Sequence, residues 1–121
     1  MINTETRKIM SVCIGRGSEH DFSLLKRSNL KIHTDTIKRV DLGYVGMGDL
    51  YKNVIIPHKK PKGGSLTKEQ KQENKRFSRA RVAIEHVNRK CKIFRIVGEV
   101  FRGKKRDFNK IWNAIAGLAN I

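Results

Sequence analysis

Ala80, Ala83, Ile84, Val87, Cys91 and Phe94 recur at the three- and four-residue spacing of one helical face, inside a run crowded with Lys and Arg. That period commits the segment to an amphipathic helix, which must lay its apolar stripe against something else. Its start is marked too. Thr67 followed by Gln70 is a capping-box pattern, in which the two side chains satisfy backbone N–H groups of the first turn. The spacing predicts a helix over residues 67–94, with a break near Phe77 and Ser78. A second stripe, Phe108, Ile111, Trp112, Ile115 and Leu118, predicts a final helix capped by Asp107. Residues 98–106 read as a basic connector between the two.

The first half is patterned differently. Residues 8–14 are nearly continuous apolar chain, bounded by Gly15 and Gly17, as expected for a strand buried on both faces. Ser18 reads as a helix N-cap with Glu19 and Asp21 in the first turn, and Phe22 and Leu25 are spaced for one face, so a short helix is expected over residues 19–28. Residues 35–40 contain Ile37 and Val40 and predict a strand ending at Asp41, before a glycine-rich turn. Residues 49–52 suggest a short helical turn. Residues 54–56 suggest an edge strand that Pro57 ends. Strand, helix and strand in that order argue for an α/β or α+β fold, a sheet with helical cover followed by two helices, with α/β the fold class expected here. Residues 58–66 form a basic flexible linker inside what reads as one domain.

Charge narrows the function. The 121 residues carry a formal charge of +16 and have a pI near 10.4. Residues 1–58 hold 9 Lys and Arg against 6 Asp and Glu, a net of +3, whereas residues 59–121 hold 18 against 5, a net of +13. Such an imbalance exceeds what solubility requires and points to a polyanion, most commonly nucleic acid. Lys59, Lys60, Lys62, Arg76, Arg79, Arg81, Arg89 and Lys92 belong to this dense set and suit phosphate contacts, which supply affinity without sequence choice. No apolar run is long enough to span a membrane and no signal-peptide pattern follows Met1, so a soluble cytosolic protein is expected. Cys13 and Cys91 stand far apart in apolar contexts and form no Cys/His cluster. They read as small reduced core residues rather than zinc ligands or a disulfide.

Two carboxylates stand out. Asp41 sits at the expected end of a strand, where functional groups gather in open sheets, and its hard oxygens suit Mg²⁺. On composition alone it reads more readily as a turn-forming aspartate ahead of a glycine. Glu85 lies at the border of the apolar stripe, with Arg81 and Arg89 four residues to either side. It fits a salt-bridged surface glutamate, but also a carboxylate that a metal would bridge to a bound phosphate. His20 and Asp21 read as helix-capping charge, Asp35 and Asp49 as turn or surface residues. His33, His58 and His86 show no metal-ligand spacing.

In this order and spacing, the motifs resemble a known family. Asp41-Leu42-Gly43-Tyr44-Val45-Gly46 resembles the D-x-G-Y-x-G segment around the second catalytic aspartate of bacterial insertion-sequence DDE transposases. The stretch from Asn74 to His86 is similar to the family's N-x-x-x-S-x-x-R-x-x-x-E-[HN] helix and aligns Glu85 with its catalytic glutamate. Lys92, Phe94 and Arg95 match a K-x-F-[KR] ending. Gly17-Ser18-Glu19-His20-Asp21 resembles a G-S-x-H-D stretch that follows the third strand of a ribonuclease-H-like fold, and residues 57–67 are similar to the family's basic linker.

The resemblance implies an incomplete ribonuclease-H-like fold whose first strand, with the first catalytic aspartate, has no match in these residues. It also implies DNA as partner, full-length transposase subunits as further partners, a nucleoid-associated bacterial cytoplasmic location, and Asp41 and Glu85 as catalytic metal ligands. The family's chemistry is Mg²⁺-dependent DNA strand cleavage and transfer, with two ions about 4 Å apart. With two of three carboxylates, the chain is expected to bind DNA without cutting it. The rival expectation is a basic nucleic-acid-binding module with no metal chemistry.

Overall fold

The computed structural model describes residues 1–121. Helix α1 spans Asp21–Ser28, strand β1 Lys38–Arg39, strand β2 Val54–Ile55, helix α2 Lys68–Lys92, the single turn α3 Arg95–Gly98 and helix α4 Lys105–Ala119. Two short 3₁₀ turns, Leu42–Tyr44 and Met47–Asp49, lie between the strands. The chain forms two compact units, one from Met1–Ile14 with Arg79–Ile121, the other from Gly15–Ser78.

The first unit is helical and apolar at its centre. Cys91 from α2, Val97 from α3 and Ile115 and Ala119 from α4 form a buried cluster, with Ile9, Phe108, Ile111 and Trp112 packed around it. Phe108 meets Trp112 edge-on at 6.5 Å and Phe101 at 4.7 Å between ring centroids. The N-terminal segment joins through Asn120, whose side chain accepts from Ile9 N–H at 2.7 Å and donates to Ile9 C=O at 2.9 Å.

The strand expected over residues 8–14 is not formed. Ile9 makes one isolated antiparallel bridge to Ile2, residues 10–14 are irregular, and Cys13 is exposed. No neighbouring strand offers those residues a ladder, and an apolar run without one has no reason to stay extended. Cys91, by contrast, is 2% exposed, and its burial raises the thiol pKa.

Other boundaries move for local reasons. Helix α2 runs without a break through Phe77 and Ser78 and stops at Lys92, so Phe94 lies beyond it and is exposed, as are Ile84 on α2 and Leu118 on α4. On α4 the small residues Ala116 and Ala119 are buried beside Ile115. Lys104, not Asp107, is the N-cap of α4, and Asp107 sits inside the first turn, where its charge suits the helix dipole. The capping box forms as expected: Thr67 N–H donates to Gln70 Oε1 at 3.1 Å and Gln70 N–H to Thr67 Oγ1 at 3.2 Å.

The Gly15–Ser78 unit has little apolar core. Met47 is its one buried hydrophobic residue, and beside it in the buried class stands Lys38, 5% exposed. Strands β1 and β2 pair in parallel, Lys38 opposite Val54 and Arg39 opposite Ile55. Lys38 N–H donates to Asn53 C=O at 2.8 Å, and its ammonium donates to the carbonyls of His33, Thr34, Thr36 and Lys52 at 2.7–3.4 Å. A buried cation survives here because backbone dipoles replace its water. Helix α1 begins two residues later than expected, and His20 rather than Ser18 is its N-cap, its Nδ1 accepting from Phe22 N–H at 3.3 Å.

Candidate functional site

Asp41 stands one residue past the last ladder bond. Val40 N–H donates to Ile55 C=O at 3.1 Å, and the backbone then turns away into the first 3₁₀ turn. The Asp41 carboxylate accepts from Leu42 N–H at 2.7 Å, and its carbonyl accepts from Tyr44 N–H at 3.0 Å. Gly46, at φ +93°, supplies the left-handed conformation that lets the chain double back, and a Cβ there would meet the Phe22 ring at 3.3 Å. The Asp21 carboxylate lies 3.6 Å from where a Gly43 Cβ would stand. The glycine turn is thus pressed under the start of α1. Asp41 does the turn work its sequence position suggested, and the same geometry leaves its exposed side chain at the carboxyl end of β1.

Glu85 projects from the part of α2 that belongs to the helical unit. Its carboxylate is 3.9 Å from the Arg81 guanidinium, with 56% of the arginine and 69% of the glutamate side chain exposed. A pair so open to water contributes little to stability. Val87, two residues on, is buried, so the helix presents Glu85 outward while neighbouring positions pack. His86, Arg7, Lys8 and Lys90 line a cavity of about 340 Å³ in the same unit.

Asp41 and Glu85 therefore lie in different units, and no group of three or more His, Cys, Asp or Glu side chains gathers in an arrangement that could hold a metal. Both are carboxylates reachable from solvent, the donor type Mg²⁺ prefers. His33 pairs with Asp35 at 3.6 Å and His58 with Glu73 at 2.5 Å, both on exposed surface.

The basic residues are exposed throughout: Lys59, Lys60 and Lys62 on the loop, and Arg76, Arg79, Arg81, Arg89 and Lys92 on α2. The root of the loop is fixed. His58 N–H donates to Asn74 Oδ1 at 2.8 Å, and Asn74 Nδ2 donates to His58 C=O at 3.0 Å, a two-way clamp onto α2. Ser78 Oγ donates to Asn74 C=O at 3.0 Å. Asn74 and Ser78 stand in the helix motif, but the sequence carried no sign that Asn74 reaches back to the loop.

The chain belongs to the DDE superfamily endonuclease family, which it matches over residues 1–120. It is 40% identical over 121 residues to a protein of Microchaete diplosiphon named "Probable transposase for insertion sequence element IS702". The match takes in 99% of this chain but 44% of that protein, so the chain spans less than half the length of its relative. No solved structure matches the chain.

Proposed function

We propose that this chain is part of an insertion-sequence transposase, that Asp41 and Glu85 are two of its metal-binding carboxylates, and that its basic surface holds DNA. The observation that carries the reading is Asp41 at the carboxyl end of β1 behind its glycine turn, in a chain of the DDE endonuclease family. In this reading β1, β2 and their flanking helices are part of a ribonuclease-H-like fold.

Mg²⁺, when bound, would activate the attacking oxygen and stabilise the leaving one in phosphodiester cleavage. The chain's own residues prepare for that chemistry. Leu42 N–H orients one Asp41 oxygen. Arg81 lies 3.9 Å from the Glu85 carboxylate in an exposed, weak pair that a bound cation would displace. Lys59, Lys60 and Lys62 on the anchored loop, with Arg76, Arg79, Arg89 and Lys92 on α2, neutralise the backbone phosphates. Two dications beside a polyanion need several fixed carboxylates, and these 121 residues present two that match the family's set of three. The chain by itself therefore binds DNA without cutting it.

The test is nicking of supercoiled DNA in Mg²⁺ or Mn²⁺ by the chain and by Glu85→Gln, with binding followed in the same samples. Binding by both proteins with nicking by neither is the expected result. Metal-dependent nicking that Glu85→Gln abolishes would show that another acidic residue completes the site. No binding by either protein would overturn the reading.

A further inference from the structure

The Gly15–Ser78 unit contains a cavity of about 710 Å³ in the half of the sequence that carries little net charge. Lys26, Lys31 and Lys52 stand on its wall, and no Asp or Glu lines it. None of the three lysines has a carboxylate partner. The Lys26 ammonium rests 4.4 Å over the Phe22 ring, a cation–π contact that leaves its charge unneutralised. The fourth lysine, Lys38, is buried and already satisfied by carbonyls, so it stiffens the wall rather than offering a contact. The rest of the lining is largely apolar: Leu30, Ile32 and Tyr51 are half-buried, and Tyr51 is held by its hydroxyl, which donates to Leu30 C=O at 2.7 Å.

Three unneutralised cations around one cavity repel one another in the free protein, and an anion relieves that repulsion. An inorganic anion would use the cations and ignore the apolar floor. A nucleic-acid strand uses both, because it alternates phosphate with sugar and base faces, and an aromatic side chain beside a cationic groove is the usual platform for it. We propose that this cavity is a second DNA contact, apart in sequence from the basic loop and α2. In it Lys26, Lys31 and Lys52 take backbone phosphates, and Leu30, Ile32 and Tyr51 take sugar or base faces. The inference rests on the reading of this chain as a DNA-binding protein.

Lysine acetylation footprinting of the unaltered chain, with and without saturating DNA and separately with polyglutamate, tests it without any substitution. DNA slows acetylation of Lys26, Lys31 and Lys52 as it slows that of Lys59, Lys60 and Lys62, while buried Lys38 stays unreactive throughout. Combined Lys26→Gln, Lys31→Gln and Lys52→Gln lowers the log–log salt slope of DNA binding by roughly 2–3. Protection of the loop lysines alone, with the slope unchanged, overturns the second contact and leaves the transposase reading standing. Protection of the three by polyglutamate but not by DNA also overturns it, in favour of an acidic protein partner. No protection of any lysine by DNA overturns both readings together.

Discussion

The two units of this chain are held together by different physics. In the helical unit, Cys91, Val97, Ile115 and Ala119 close an apolar centre from three helices. In the Gly15–Ser78 unit polar groups do comparable work: Lys38 on four carbonyls, Asn74 on both backbone groups of His58, Tyr51 on Leu30 C=O, Asp41 on Leu42 N–H. Apolar packing is non-directional and tolerates substitutions that conserve volume, whereas a polar lock depends on one donor in one place. The proposed catalytic aspartate belongs to the second kind of unit, where position is set by hydrogen bonds.

The comparison breaks most visibly at Ile115. Ile115→Ala should cost about 2–5 kcal/mol through lost burial and the cavity left behind. Thermal unfolding followed by circular dichroism should show it, with helix signal lost first from the helical unit. Lys38→Met comes next. It leaves carbonyls of His33, Thr36 and Lys52 without their donor, at about 1–3 kcal/mol for a buried unsatisfied group. Hydrogen exchange should speed up at Val40 N–H, which closes the β1–β2 ladder, with little change at the amides of α4. Equal loss of protection in both units would mean that the units do not differ as described.

Thr67→Ala is smaller, at about 1 kcal/mol for a lost N-cap, and should show as fraying confined to the first turn of α2 in amide exchange. The smallest effect is electrostatic. Arg27 bonds the Glu19 carboxylate at 3.0 and 3.1 Å and holds its pKa below the usual carboxylate value, against a smaller opposing effect of desolvation. A lowered carboxyl pKa means that this contribution is present above the ordinary carboxylate range and fades as pH falls through the lowered value. Arg27→Gln should move the Glu19 midpoint back up in an NMR titration. An unmoved midpoint would show that the pair does not form in solution.

The same contrast decides what the sequence could reveal. The helical unit was largely legible because period reports packing: Val87, Cys91 and Ile115 were expected in the core and are buried there. Ala116 and Ala119 were missed because alanine carries little hydrophobic signal, and Phe94 was misplaced because the helix stops at Lys92. In the other unit β2 and a strand ahead of Asp41 are readable from Pro57 and the glycine turn, but the strand expected over residues 35–40 shrinks to Lys38–Arg39. The burial of Lys38 was not, since lysine is almost always outside and its partners are backbone groups that no side-chain pattern encodes. Helical spacing puts Glu85 at the border of the apolar stripe between Arg81 and Arg89, and the structure turns it outward. The Asn74 clamp on His58 joins residues sixteen apart and left no periodic trace.

The most direct test of the account is the salt dependence of DNA affinity for the intact chain. If its cationic loop and helix meet the phosphate backbone, affinity should fall on the order of 10³-fold or more between 50 and 200 mM salt, and combined Arg79→Gln and Arg89→Gln should reduce the log–log slope by roughly 2. An affinity that barely changes with salt, or a slope that ignores both substitutions, would contradict the claim that this charge exists to hold DNA.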